Sequence, residues 1–325
     1  MATVAGMGTT YGLPNYTGDL YQISPTETPF TSAIGGLALQ GLSNGQNGGR
    51  STSTEFEWST ADIRTTTASN TKVEGAAAPT ASSQSRSNVT NVVEIHQQKV
   101  SVSYTKLAAI GQKAGSNNDL PSNVTNEVDF QLGQELRAIA LDIEKSFTTG
   151  TYQKPANNST ARQTRGIRSA ITTNVAANGG TPRALTKALF DGLLTTMHAN
   201  GAVIDGTTTV VAGAAQKVTL SNIYMAAQLN QPTQTRNVGG VAIDTLVTDF
   251  GVLGVMLDRW WPTGELAVVN LGVCEPVWLD IPGKGHGLFA EPLAQVGSSV
   301  DVQLYGEVGL EYGPEVYHGV LDDLS

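Results

Sequence analysis

Between Thr54 and Tyr104 the chain makes a long excursion that can bury little of its own surface. It leaves as Thr54-Glu55-Phe56-Glu57-Trp58, where Thr54, Phe56 and Trp58 alternate with two glutamates, the period of a half-buried strand. From Thr65 to Ser87 nearly every residue is small or polar, which predicts the tip of a hairpin. Apolar residues return at Val89, Val93 and Ile95, and the spacing predicts the return strand at Val100-Ser101-Val102-Ser103-Tyr104. A hairpin this long is marginal alone in water and needs another surface to cover it. The pattern therefore implies a chain finished by its neighbours. Phe56 and Trp58 are the leading candidates for contact with an adjacent subunit, because each, fully buried, contributes roughly 1.5–3 kcal/mol. Arg64, Lys72 and Glu74, on the same hairpin, are further contact candidates.

The stretch before the hairpin is short and capped. Residues 1 to about 23 have no sustained period and predict an extended arm. Ser24-Pro25-Thr26-Glu27 fits a capping box with proline at the first helical position. Pro29 cannot continue that turn without loss of a hydrogen bond, so Thr28-Pro29 starts a second short helix, which Gly35-Gly36 ends.

The strongest helical signal runs from Ser122 to Gly150. Val128, Leu132, Leu136, Ile139, Ile143 and Phe147 form one apolar stripe along it. A second helix is expected from about Thr186 to Asn200, with Leu185, Leu189, Leu193 and Met197 on one face. Beyond Thr207 the pattern turns to strands: Thr209–Val211, Val241–Val247, Gly254–Trp260, Leu266–Val269, Val277–Ile281 and the alternation from Val300 to Tyr305. The fold class is α+β.

Charge and cysteine content narrow the function. Residues 1–170 hold 13 basic and 13 acidic side chains, whereas residues 171–325 hold 6 against 15, the source of the net −9. No basic tail or stripe is present to bind nucleic acid tightly. An acidic half favours solubility and repulsion between subunits. Cys274 stands alone, so no intrachain disulfide forms and a reducing compartment is expected. No signal-peptide pattern or membrane-spanning run is visible, and the Asn-x-Thr triplets at Asn15, Asn88, Asn123 and Asn158 are expected to be chance.

Catalytic raw material is thin. His96, His198, His286 and His318 show no metal-ligand spacing, and Gly283-Lys284-Gly285 meets neither the phosphate-loop nor the dinucleotide pattern. Cys274, Asp280 and His286 fall close in sequence but predict strand and turn residues. No enzyme and no cofactor are expected. Arg162, Arg165 and Arg168 form a basic cluster, either a contact with an acidic neighbour or packaged DNA on an inner face, or a solvated patch.

Five segments, in order, are similar to the major capsid proteins of tailed double-stranded DNA bacteriophages with the Hong Kong 97-type fold. Ile23–Phe30 resembles the end of the N-arm. Phe56-Glu57-Trp58 and Val73-Glu74-Gly75-Ala76 resemble the outgoing side of the extended E-loop, and Val100–Ser103 its return. Ser122–Gly150 resembles the spine helix of the peripheral domain. Thr248–Gly251 through Asp258–Pro262 resembles the axial-domain sheet, and Gly306–Tyr312 to Tyr317–Gly319 the closing peripheral strands. The resemblance implies an N-arm over 1–47, an E-loop over 48–106, a peripheral domain over 107–184, an axial domain over 185–290 and a return to peripheral strands over 291–325. It also implies self-assembly into hexamers and pentamers of an icosahedral head around double-stranded DNA, weakly contacted. Virion localisation, assembly in the host cytoplasm, a separate scaffolding protein, a portal and a decoration protein belong to the same implication. No scaffolding segment fits before the hairpin. Lys72 matches the loop lysine that some relatives crosslink, but its partners cannot be placed and it is expected to be a solvated charge. The alternatives are an encapsulin-type nanocompartment shell protein and, from another class, a surface adhesive or carbohydrate-binding protein.

Overall fold

The computed structural model describes residues 22–37, 49–63, 66, 70–81, 83–108, 126–227, 235–238 and 241–325. Its helices are α1 (Pro29–Ala33), α2 (Tyr104–Ala108), α3 (Glu127–Thr149), α4 (Ile167–Ala170), α5 (Lys187–Ala199) and α6 (Ala214–Ala227). Its strands are β1 (Gly49–Ser51), β2 (Glu55–Ala61), β3 (Arg86–Val92), β4 (Glu94–Ser103), β5 (Val175–Ala176), β6 (Thr208–Ala212), β7 (Thr235–Val238), β8 (Val241–Thr248), β9 (Gly251–Leu257), β10 (Leu266–Asn270), β11 (Glu275–Leu279), β12 (Phe289–Pro292), β13 (Ser299–Glu311) and β14 (Gly319–Leu321). They form a seven-stranded sheet, β5-β14-β10-β6-β9-β8-β7, and a five-stranded sheet in which β13 pairs with β4, β11 and β12, and β11 with β1; β2 and β3 pair apart from both.

Two hydrophobic cores lie on opposite faces of the seven-stranded sheet. Strands β6 and β10 are buried at every position. Val211, Ala267 and Val269 point into one core with Ile143, Phe147, Trp278 and Leu310. Val210, Ala212, Leu266 and Val268 point into the other with Phe190, Leu193, Met197 and Leu220. Strict alternation of side chains across a strand makes this division, and burial on both faces explains the unbroken apolar runs.

Helix α3 forms where its stripe predicts, within the expected 122–150, although residues 122–125 lie outside those described. The Asn126 side chain accepts from the Val128 amide at 3.1 Å, and Glu127 and Asp129 complement the positive end of the helix. Its C-terminal half, at Ile139, Ile143 and Phe147, is fully buried, and its N-terminal half only partly. Past Thr149 the chain crosses itself closely. A Cβ at Gly150 would lie 2.4 Å from the Ser146 carbonyl oxygen, and one at Gly166 2.5 Å from the Gly150 nitrogen, so both positions require glycine.

Several expectations are corrected. The hairpin over 48–106 is shorter than its sequence suggests. β2 pairs with β3, from Glu55 opposite Val92 to Ala61 opposite Arg86, whereas β4 runs antiparallel to β13 from Val308↔Glu94 to Ser299↔Ser103. The alternation at Val100 and Val102 is real, and both are buried, but their strand belongs to the five-stranded sheet. The 185–290 block is divided too: β11 and β12 join β13, while β5 and β14, from outside that block, complete the seven-stranded sheet. Helix α6 occupies a region expected to hold strands alone, because its β-branched and small residues mask the spacing of Leu220, Ile223 and Tyr224. The Ser24–Glu27 capping box does not form a turn. Helix α1 begins at Pro29 without a side-chain cap from Thr28, whose hydroxyl instead meets that of Ser32 at 3.4 Å.

His318 joins the sheets. Its Nδ1 accepts from the Asn270 amide at the end of β10 at 3.2 Å, so Nε2 carries the proton and donates to the Tyr312 carbonyl, beyond β13, at 2.7 Å. Burial pushes the imidazole down from 6.5 to about 4. The unfolded chain thus binds a proton near 6.5 that the folded chain refuses until about 4. This contribution to stability is complete above 6.5 and lost as pH falls through that window. In urea unfolding, the stability difference between wild type and His318→Gln should shrink as pH drops from about 7 to about 5; a pH-independent difference would remove His318 as the cause.

Candidate functional site

The most distinctive surface is the β2–β3 hairpin, held firmly at its base and bare at its tip. At the base, the Trp58 ring meets the Tyr312 ring edge-on, with centroids 4.8 Å apart, and its Nε1 donates to the Gly313 carbonyl at 2.9 Å. Phe56 stacks beside Trp58 at 6.1 Å. The Phe56 ring lies over Gly309 of β13, where a Cβ would approach it to 2.7 Å. Asn91 of β3 donates to the Leu310 carbonyl at 2.7 Å and accepts from the Arg165 amide at 2.8 Å. These contacts fasten the hairpin root to the edge of the main core within the same chain. Phe56 and Trp58 therefore begin half-buried by their own subunit, and the expectation of a hairpin without cover is corrected at its base.

One member of the arginine cluster, Arg165, reaches the same anchor through Tyr312. Arg162 binds Glu307 at 2.7 Å, and the Tyr305 hydroxyl donates to the other oxygen of that carboxylate at 2.6 Å. Arg165 lies over the Tyr152 ring at 4.5 Å and donates to the Tyr312 hydroxyl at 3.1 Å. Arg168 holds Glu265 and reaches Asp322 at 2.9 Å, and the Glu265 hydrogen bond raises its pKa above the ordinary guanidinium value. The three charges diverge to partners in their own chain, so the structure does not bring them together as one basic patch. Sequence spacing cannot reveal this, because the acidic partners lie 97 to 154 residues away.

Beyond Ala61 the hairpin changes character. Every described residue from Asp62 to Asn88 is exposed, Lys72 and Glu74 among them, while Arg64 lies outside the described residues. Ile63 and Val73 are 83% and 81% exposed, a costly arrangement for β-branched apolar side chains that nothing among the described residues covers. A turn at Val73–Ala76, with Gly75 at φ 81°, shapes the tip.

A second constellation, invisible to motif reading, sits at the root of the N-terminal segment. Glu144 of α3 accepts from the Phe30 amide at 2.8 Å, the Thr31 amide at 2.7 Å and the Thr31 hydroxyl at 2.5 Å. It replaces the missing cap of α1. Trp260 Nε1 donates to the Glu27 carbonyl at 2.9 Å, and Arg259 pairs with the Glu27 carboxylate at 3.1 Å. Nothing in the sequence marks Glu144 as a cap, since its partners come from 113 and 114 residues earlier.

His96 contacts Glu94 at 2.8 Å, and the Cys274 thiol is buried, which pushes its pKa up. Among the described residues, no three His, Cys, Asp or Glu side chains are grouped to hold a metal ion. No described helix is long and apolar enough to cross a membrane.

A whole-chain comparison decides what this arrangement belongs to. Residues 3–325 match the family model of the SU10 major capsid protein. The chain belongs to that family. This capsid protein shares its fold with the capsid subunit of cyanophage A-1(L), at 12% identity and a TM-score of 0.66, over 96% of this chain and 97% of that one. The capsid of a native GTA particle gives a TM-score of 0.59 at 12% identity, over 96% and 95% of the two chains. The SrpI encapsulin of Synechococcus elongatus PCC 7942 reaches 0.52 at 13% identity but spans only 74% of this chain and 78% of its own. No curated protein matches the chain in sequence. The fold is thus the Hong Kong 97 type, and the phage capsid reading stands ahead of the encapsulin one.

Because Trp58 is tied to Tyr312 and Gly313 of its own capsid subunit, its removal should weaken the monomer. Trp58→Ala is expected to cost roughly 2 kcal/mol, less than the ~3–5 kcal/mol of a fully buried tryptophan. Trp58→Phe, which keeps a ring and loses one hydrogen bond, should cost about 1 kcal/mol. Denaturant midpoints of the two variants check the ordering.

Proposed function

We propose that this capsid protein assembles as hexamers and pentamers into an icosahedral phage head around double-stranded DNA, with the β2–β3 hairpin lying on an adjacent subunit. The observation that carries this reading is the contrast within the hairpin: a root locked by Trp58, Phe56 and Asn91, and a tip that exposes Ile63 and Val73. A neighbour that covers the tip gains apolar burial without having to order the root. Lys72 and Glu74, both exposed, supply polar contacts at its rim, and Arg64 stands in the same part of the sequence. Repeated around a closed shell, contacts that are modest singly become strong through effective concentration. The work of the protein is geometric, without catalysis or cofactor.

Packaged DNA is contacted weakly, since the arginines at 162, 165 and 168 are engaged by their own carboxylates and aromatic rings. Assembly in the host cytoplasm with a separate scaffolding protein and a portal, and with a decoration protein on the finished head, completes the reading.

Replacement of residues 66–81 by a short Gly-Ser turn tests it. Those residues add no described core contact, so the shortened chain should melt within a few degrees of wild type. It should nevertheless fail to form closed shells by sedimentation and electron microscopy, where the full chain succeeds. Shells of normal size from the shortened chain would overturn the role of the tip. Particles of the full chain that enclose a cargo protein and no DNA in infected cells would overturn the phage-head reading in favour of a nanocompartment.

A further inference from the structure

The chain contains four Asn-Gly pairs. Asn44-Gly45 and Asn47-Gly48 lie outside the described residues, whereas Asn178-Gly179 and Asn200-Gly201 are described and exposed. Such a pair is chemically labile, because the backbone nitrogen of the second residue attacks the side-chain amide carbon of the first. Glycine leaves that path clear of a Cβ. Both described pairs read Ala-Asn-Gly, so the sequence makes them equivalent. The fold does not.

Asn178 opens a four-residue turn. The Thr181 amide donates to the Asn178 carbonyl at 3.3 Å, and both central glycines have positive φ, 65° at Gly179 and 80° at Gly180. The amides on either side of Gly179 are occupied: Asn178 and Gly180 donate to Asp323 Oδ2 at 2.6 and 3.0 Å. Among the described residues, the Gly179 amide itself donates to no acceptor. A Cβ there would meet nothing within 4 Å, so water reaches this nitrogen. The Asn178 side chain keeps one exposed bond, from Nδ2 to the Thr181 carbonyl at 2.8 Å. At the other pair both reacting groups are engaged more deeply. The Gly201 amide donates to the His198 carbonyl at 3.1 Å, past the end of α5. Asn200 Nδ2 donates to Asn174 Oδ1 at 2.7 Å, and the buried Asn174 is fixed by the carbonyls of Val316 and His318 at 2.8 and 2.9 Å.

We propose that Asn178 is a site of spontaneous deamidation, and that its conversion releases the edge strand β5. The Gly179 nitrogen, its proton taken by hydroxide, attacks Asn178 Cγ. The new N–C bond forms as the bond from Cγ to Nδ2 breaks, and the amide leaves as ammonia with a proton from water, which closes a succinimide ring. Water then opens the ring at either carbonyl, to give aspartate or, with the main chain rerouted through the side chain, isoaspartate. Either product sets a carboxylate beside that of Asp323, and isoaspartate also lengthens the main chain by a methylene. The turn is part of what pins β5. Asp323, in the left-handed region at φ 58°, receives the Asn178 and Gly180 amides on its side chain and the Arg183 amide on its carbonyl at 2.8 Å. β5 itself pairs with β14 through just two residues, Val175↔Val320 and Ala176↔Leu321. Loss of the amides from Asp323 therefore loosens residues 175–183 at the sheet edge. This chemistry belongs to the single subunit and does not depend on the assembly reading.

Peptide mapping by mass spectrometry, after incubation of the soluble full-length protein at mildly alkaline pH, tests both parts. Trypsin releases Asn178 in peptide 169–183 and Asn200 in peptide 188–217. The mass increase of an amide-to-acid conversion should accumulate at Asn178 at least about threefold faster than at Asn200, the scale on which one backbone hydrogen bond changes a rate. In urea the two should convert at equal rates, since their sequence neighbours match. Brief trypsin treatment of the folded protein should then cut aged wild type after Arg183 faster than fresh wild type, while aged and fresh Asn178→Gln should be cut alike. A folded-state ratio below about threefold, or one that persists unchanged in urea, would overturn the assignment of Asn178. Equal cutting of aged and fresh wild type would overturn the release of β5.

Discussion

Strands buried on both faces hold this molecule together. Side chains of β6 and β10 alternate between two cores, so one pair of strands is shared by the helix α3 layer on one side and the α5–α6 layer on the other. Neither layer can shift without disturbing the other, because interiors are packed densely and methylene-sized changes are felt. The five-stranded sheet is tied to this unit by His318, whose two ring nitrogens bridge Asn270 and Tyr312. Tyr312 is in turn the surface on which Trp58 rests. A continuous chain of packed and hydrogen-bonded groups thus runs from the central sheet to the hairpin root.

That continuity separates a rigid body from what it presents. The segment that crosses between Gly150 and Gly166, with α4 just after it, brings Arg162, Arg165 and Arg168 against three different parts of the fold, where each finds a fixed partner. Half-buried pairs of this kind orient a loop more than they stabilise it, since desolvation offsets much of the attraction. The described residues of the hairpin tip show no such ties, and Ile63 and Val73 among them stand in water. For a member of a capsid protein family, a stiff base with an uncovered end is a natural arrangement, because a subunit that must fit several neighbours benefits from adjusting only the part that touches them.

Helices α3 and α5 were legible because their apolar stripes repeat at helical spacing and Gly150 and Gly201 mark where they stop, whereas the Asn126 cap of α3, four residues inside the expected start, was not. The alternation of Val100 and Val102 was equally legible, but its partner was not. A period of two announces a strand and is silent about which strand lies beside it, so β4 could be assigned to β2 until the pairing with β13 was seen. The Ser24–Glu27 pattern misled for a related reason. Its local bonds lost to Trp260, Arg259 and Glu144, all distant in sequence and able to offer buried rather than solvated contacts. At the candidate interface, Phe56 and Trp58 were legible as residues needing cover, whereas the source of their first cover was not.

By itself the sequence determined the local periods, the two main helices, the polar tip of the hairpin and the absence of recognisable catalytic motifs. It also carried, in the order of five degenerate segments, a resemblance to phage capsid proteins that the family match over residues 3–325 bears out. The tertiary structure alone decided where long-range partners meet: β4 with β13, the arginines with their carboxylates, and Glu144 with the amides of α1. The reason is physical. Periodicity records which face of an element avoids water, whereas pairing depends on which surfaces are left to compete for that face once the chain has closed around them.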